Sequence, residues 1–260
     1  METLLFEKDA SPGVSVLTLN RPEVLNAFNT AMWRELWTLL RELAYDTTLS
    51  CLVIQGAGPR AFSAGGDLKE RNGMSDADWA AQHQLIEDVL LLVRDFPRPV
   101  IAAMHGIAHG GGIELALMCD FIIGDDTCDI ALPEVKRGFL PGGGGLQNLT
   151  RAIGVRQTKQ MLFTGARVQA RQAHEWGILN ECVAAGMHLP RALELAREIA
   201  RAAPMAIRTA KVALQQGADC DFRSGYALDL AFHNLLVRSP DRIEGIRAFN
   251  EKREPQWTQR

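Results

Sequence analysis

Two glutamates and three glycine-rich words are the parts of this 260-residue chain whose residue types and spacing could do chemistry. The words are Ser63-Ala64-Gly65-Gly66-Asp67, Gly110-Gly111-Gly112 and Gly142-Gly143-Gly144-Gly145; the acids are Glu114 and Glu134. Nine of the 23 glycines fall in those words, where a ligand atom can approach the backbone with no Cβ in the way. None is a dinucleotide fingerprint or a phosphate loop, because no G-x-G-x-x-G sits between a strand and a helix and no Gly-Lys-Ser/Thr follows. The second word suits a different task. A strand ending at Met104 runs into His105-Gly106, and a helix over 111–118 begins shortly after. The first N–H groups of a helix have no partner inside it and carry its positive dipole end. An N–H from Gly111, with one from the Gly65-Gly66 loop, would make a two-donor oxyanion hole. Glu114 lies in the first turn of the same helix, and Glu134 follows Pro133, which interrupts a strand pattern and puts the acid at a strand end. Each acid alone also fits a plain role, as a dipole-complementing or solvent-facing carboxylate. If the two meet in an enclosed site their pKa values separate, leaving one as base and one as acid.

Such a site needs elements that bring distant loops together. A hairpin is expected over 4–7 and 14–19, across the turn triplet Ser11-Pro12-Gly13. Met32, Leu36, Leu39, Leu40 and Leu43 recur at helical spacing within 30–45. Short strands over 51–54, 99–104 and 121–123 alternate with helices over 76–94 and 111–118. The resulting β-β-α-β-α-β-α-β order predicts largely parallel sheets with crossover helices. From Gly145 onward helical periodicity dominates, over 146–153, 156–162, 168–176, 190–202, 204–215, 226–236 and 241–250, punctuated by Pro190, Pro204 and Pro240. No internal repeat is evident. The expected organisation is an α/β core over 1–200 followed by a helical region over 201–260.

Composition narrows the function. A compact chain of 28.6 kDa exposes about 11,000 Å² and buries enough to need no disulfide or metal staple. A formal net charge of −3 is a poor footprint for nucleic acid. Five cysteines without a C-x-x-C pair read as reduced thiols in a cytoplasmic setting. The stretch over 100–124 carries His105, His109, Glu114 and Asp120, which argues against a bilayer span, and the N-terminus lacks the pattern of a signal peptide. A serine hydrolase built on Ser63 with His105 or His109 lacks the G-x-S-x-G elbow.

Longer words carry a resemblance. Asn20-Arg-Pro-Glu-Val-Leu-Asn-Ala27, Ala61-Phe-Ser-Ala-Gly-Gly-Asp-Leu-Lys69, Gly110-Gly-Gly-Ile-Glu-Leu-Ala116 and Leu132-Pro-Glu followed by Gly138-Phe-Leu-Pro-Gly142 resemble the crotonase (enoyl-CoA hydratase/isomerase) family, in its order and at its spacing. Thr164-Gly165, Ala173-His-Glu-Trp-Gly177 and Ala248-Phe-Asn-Glu-Lys-Arg253 extend the likeness over nearly the whole chain. The resemblance implies an α/β spiral of repeated ββα units with a helical C-terminal oligomerisation region, assembled as a homotrimer or a dimer of trimers. It also implies an acyl-CoA substrate in fatty acid metabolism, no metal, and no cofactor beyond the coenzyme A of the substrate.

Residue by residue, Gly66 and Gly111 match the family's oxyanion-hole amides, and Glu114 and Glu134 match the two glutamates that bracket a water in the hydratase branch. Gly142 matches the glycine whose N–H helps place that water. Ala64, Asp67 and Leu68 fall where the family's loop lines the coenzyme channel. Phe249 and Lys252 match residues of the last helix that reach the coenzyme, in many members from a neighbouring subunit. Three departures border the acyl pocket: Gly66 where alanine is frequent, His105-Gly106-Ile107 for Asn-Gly-Tyr or Asn-Gly-His, and Gly143-Gly144 for Ala-Gly. The expected activity is hydration of a 2-enoyl-CoA. An enoyl-CoA isomerase remains open, as does a carnitinyl-CoA dehydratase, which the ending from Phe249 to Arg260 resembles, and a non-enzymatic acyl-CoA- or RNA-binding relative.

Overall fold

Strands β1 (Leu4–Ser11) and β2 (Val14–Leu19) form the expected antiparallel hairpin around Pro12 and Gly13 in the computed structural model, which describes residues 1–258. The last two residues of the C-terminal word, Gln259 and Arg260, lie outside the described residues. β1 continues to Ser11 through a register shift, with Asp9 at φ 53°. Helix α1 (Thr30–Ala44) begins where the Asn29 side chain accepts the Met32 N–H, and its stripe of Met32, Trp33, Leu36, Leu39, Leu40 and Leu43 is buried.

Three units follow, each giving one strand to a large sheet, the next to a small sheet, and then a helix. The first holds β3 (Cys51–Gly56), β4 (Ala61–Ser63), α2 (Leu68–Arg71) and α3 (Asp76–Arg94). The second holds β5 (Val100–Met104), β6 (Ile107–His109) and α4 (Gly111–Met118), and the third β7 (Phe121–Asp125), β8 (Asp129–Ala131) and α5 (Gly145–Thr164). After them come β9 (Val168–Gln169), α6 (Ala170–Trp176) and β10 (Glu181–Val183). The six-stranded sheet runs β1-β2-β3-β5-β7-β10 and the four-stranded sheet β4-β6-β8-β9. From β2 to β10 the large sheet is parallel, as are β4-β6-β8, so the chain climbs as a spiral of ββα units. β5 is buried at all five positions and reads as a continuous apolar run.

Two sequence readings need correction. Strands β4, β6 and β10 and the four-residue helix α2 are missing from the predicted order, and β8 enters the reading only as the strand pattern that Pro133 interrupts, because three or four residues are too few to show a period. The segment over 168–176 is not all helix, since Val168 and Gln169 pair with β8 before α6 starts. The predicted break between 153 and 156 corresponds to Gly154, whose φ of 77° interrupts the helical ladder of α5.

The C-terminal part is helical: α7 (His188–Arg201), α8 (Pro204–Gly217), α9 (Phe222–Val237) and α10 (Pro240–Glu251). α7 packs Ala192 and Ala196 against the large sheet beside Val53, Ile101 and Ile123. α8 is pinned by Lys211, whose Nζ donates to Asp120 Oδ2 at 2.8 Å and to the Arg98 carbonyl at 3.1 Å. Lys211→Met should cost roughly 2 kcal/mol, lowering Tm by about 5 °C in a thermal melt. The expectation falls below that for a fully enclosed pair because the Asp120 side chain keeps 20% of its exposure and can rehydrate. Among the described residues no helix is long and apolar enough to cross a membrane.

Candidate active site

The spiral stacks the ends of β4 and β6, and this stacking brings the first two glycine words into contact. Gly112 faces the end of β4, where a Cβ would overlap the Ser63 carbonyl oxygen. A Cβ on Gly65 would lie 3.0 Å from the Gly111 nitrogen, and one on Gly111 would lie 3.8 Å from the Gly66 nitrogen. Gly110 turns the chain into α4 at φ 52°, a left-handed conformation that favours glycine. The Gly65 N–H is spent on Ser63 Oγ, but among the described residues neither the Gly66 nor the Gly111 N–H donates to a protein acceptor. Two free amides therefore lie close together, at the positive end of a helix.

Ser63 is no nucleophile. It is fully buried, and its hydroxyl donates to the Asn26 carbonyl at 2.7 Å. His105 hydrogen-bonds the Gly58 carbonyl instead.

Beside the amides lies a cavity of about 260 Å³, lined in part by Ala64, Gly66, Gly111, Glu114, Glu134 and Gly142. Both acids are buried, yet their settings differ. Glu114 Oε1 accepts the Gly143 N–H at 2.7 Å and the Gly145 N–H at 3.1 Å, so the third glycine word wraps the carboxylate. Burial raises its pKa, while those two amides oppose the rise by favouring the ionised form. Glu134 opens a short 3-10 turn over Glu134–Arg137, next to Gly110, where a Cβ would sit 2.7 Å from its Oε1. Its buried Oε2 has no hydrogen-bond partner. Burial, reinforced by the charge of Glu114, pushes the Glu134 pKa up to about 7. Burial raises both carboxyls, but only Glu114 has amide donors that favour its ionised form, while Glu134 is placed to carry a proton near neutrality.

Leu68 lies on the cavity wall, but Asp67 does not; it caps α2 and pairs with Arg21 at 2.9 Å, which holds the Gly65-Gly66 loop in place. Phe249 and Lys252 are likewise not brought to the cavity within one chain. Phe249 is 84% exposed on α10, and Lys252 follows that helix at φ 53°. The sequence reading missed a wall contributed by α2, α3 and the loop after Glu134: Arg71, Trp79, His83, Arg137 and Phe139. Arg71 stands two residues past the Ala61–Lys69 word, in a stretch between 54 and 76 for which the sequence suggests no element.

Free amides beside a carboxylate pair define a site that can hold a carbonyl oxygen as charge builds on it, and can give and take protons next to it. The comparisons with known proteins agree. The family model described as Enoyl-CoA hydratase/isomerase matches residues 9–260, and the chain belongs to that family. It is 38% identical over 245 residues to the 2,3-dehydroadipyl-CoA hydratase of Escherichia coli, covering 94% of each chain. It is 40% identical over 251 residues to the mouse mitochondrial enoyl-CoA hydratase domain-containing protein 2, covering 94% of this chain and 84% of the relative. The crystal structure of enoyl-CoA hydratase from Bacillus anthracis superposes with a TM-score of 0.96 at 35% identity, over 99% of this chain and 100% of that one.

Proposed function

We propose that the protein is an enoyl-CoA hydratase, adding water reversibly across the double bond of a 2-enoyl-CoA. The observation that carries this reading is the enclosed carboxylate pair in unlike settings. In the proposed mechanism the thioester oxygen accepts hydrogen bonds from the Gly66 and Gly111 N–H groups, which stabilise the enolate charge of the transition state. Glu114, whose ionised form two amides favour, takes a proton from water as the water oxygen bonds to Cβ. Glu134, protonated, gives its proton to Cα. A proton passed from Glu114 to Glu134 resets the pair. The Gly142 N–H helps position the water. The chemistry calls for no metal or redox cofactor, and coenzyme A arrives with the substrate.

An isomerase needs only one carboxylate to shuttle a proton between carbons, so the second acid favours hydration. The guanidinium groups of Arg71 and Arg137 in the wall weigh against the trimethylammonium of a crotonobetainyl thioester. A panel of crotonyl-, longer 2-enoyl-, 3-enoyl- and crotonobetainyl-CoA tests the reading. Hydration of a 2-enoyl thioester is expected, and turnover of the 3-enoyl substrate alone would replace it with isomerisation.

The same reading makes residues 201–260 an assembly region, in a cytoplasmic homotrimer or dimer of trimers. The chain exposes 13,427 Å², against about 11,000 Å² for a compact monomer of this mass. α9 has no buried residue, and Phe222, Tyr226, Leu235, Ile246 and Phe249 on α9 and α10 are exposed. Trp257 does not add to that face, because its indole N–H is spent on the Arg201 carbonyl. Such an assembly would carry Phe249 and Lys252 to a neighbour's coenzyme. Light scattering should give a mass three or six times 28.6 kDa; a single-chain mass at assay concentrations would overturn the proposal.

A further inference from the structure

Arg71 is a charged group of the cavity that the mechanism uses at most through space, by favouring the ionised form of Glu114. It ends α2 and lines the cavity beside the free amide of Gly66. A Cβ on Gly66 would lie 3.1 Å from both Cζ and Nη1 of Arg71, so the space left by the missing alanine methyl is where the guanidinium sits. The group is built in. Its Nε donates to Gln82 Oε1 at 2.8 Å, and Gln82, only 4% exposed, donates in turn to Thr30 Oγ1 at 2.7 Å and Glu70 Oε2 at 2.9 Å. Its face lies 4.6 Å from the ring of Trp79, which meets Phe139 edge-on.

The outer half of the guanidinium is unspent. Among the described residues neither Nη donates to a protein acceptor, and no carboxylate forms an ion pair with Arg71. The nearby acids act on it only through space: both oxygens of Glu70 accept the Thr30 N–H, and Glu114 holds Gly143 and Gly145 with Oε1 and forms no ion pair with Arg71 through Oε2. A hydrocarbon acyl tail packed here would strip water from those donors and return nothing, which costs affinity. A carboxylate would match their planar fork.

We propose that Arg71 is the specificity-determining residue of the acyl pocket, and that the preferred substrate is a 2-enoyl-CoA whose short acyl chain carries a carboxylate. This rests on the hydratase reading. The coenzyme's own phosphates are a poor match for Arg71, because the pantetheine arm separates them from the thioester and Arg71 stands at the thioester end, beside Gly66.

The test separates binding from turnover. Glutaryl-CoA and pentanoyl-CoA are saturated, share the same coenzyme and have five-carbon acyl chains that end in a carboxylate and a methyl respectively. Calorimetry should find the wild type binding glutaryl-CoA about ten- to a hundred-fold more tightly. Arg71→Met and Arg71→Gln, each checked by thermal melting, should bring that ratio close to one, and Arg71→Lys should keep part of it. Equal affinities in the wild type, or a ratio untouched in the variant that folds, would overturn the proposal; so would an equal loss for both ligands, which would mean that Arg71 serves the shared thioester. Hydration of glutaconyl-CoA against crotonyl-CoA is measured separately. Failure of the wild type to hydrate these two or any longer 2-enoyl thioester removes the hydratase reading, while the binding ratio still decides the carboxylate subsite.

Discussion

Replacing Glu134 with glutamine should slow hydration by about 10²–10⁴-fold in kcat while leaving the protein about as stable as the parent at pH 4 and more stable at pH 8. The rate loss follows from chemistry, since an amide of the same size cannot deliver a proton to Cα. The stability gain follows from burial. Glu134 has an ordinary carboxyl pKa of 4.5 when unfolded and about 7 when folded. Between those values the folded protein binds more protons than the unfolded chain, so stability falls as pH rises from about 4.5 to about 7 and stays lowered above. At about 1.36 kcal/mol per pH unit, ionising this carboxyl in place costs at most about 3.5 kcal/mol, and glutamine removes that cost. Thermal melts of both proteins at pH 4 and pH 8 check the claim: the difference in Tm should be small at the lower pH and full at the higher. The wild-type hydration rate should also decline above pH 7, as Glu134 loses the proton it donates. A variant with normal hydration, or equal Tm differences at both pH values, would remove Glu134 from the acid's role.

Much of this arrangement is written in local chemistry, and its limits are physical too. The helix start at Gly111 and the buried strand before it are legible because an apolar run, a glycine turn and a helical period adjoin within twenty residues. The meeting of Gly66 with Gly111 is not. It depends on β4 pairing with β6, and three-residue strands carry too little pattern to reveal a second sheet. The ββα repeat is hidden for the same reason, since each turn repeats a backbone path without repeating residues. Glycine in place of alanine at 66 reads as a loosened loop in the sequence; in the structure that glycine makes room for Arg71. An arginine in a four-residue helix looks solvated until the neighbouring helix closes over it, and only the chain of contacts through Gln82, Thr30 and Glu70 fixes it in the pocket. Asp67 illustrates the opposite case. Its place in a conspicuous word suggests contact with the coenzyme, yet its oxygens are engaged by Arg21 and the start of α2.

Glu114→Gln should lose about 10²–10⁴-fold in hydration kcat with little change in Tm, and it distinguishes the two enzyme readings. Glutamine can keep the contacts that fix the side chain, because its carbonyl oxygen still accepts the Gly143 and Gly145 N–H groups now bound to Oε1. Those two donors also dictate its orientation, since turning the amide over would set an NH₂ group against both. The NH₂ must then occupy the place of Oε2, the oxygen that would take the proton from water. The side chain stays where it was and the base is gone. The double variant with Glu134→Gln should be scarcely slower than either single one, because groups that act as one unit do not contribute independently. Loss of 2-enoyl absorbance measures hydration, and a coupled assay follows conversion of a 3-enoyl thioester. In an isomerase Glu134→Gln would abolish shuttling whereas Glu114→Gln would be mild, since no water has to be deprotonated. Near-wild-type hydration by Glu114→Gln would falsify the two-carboxylate mechanism, and additive losses in the double variant would mean that the two acids act in separate steps.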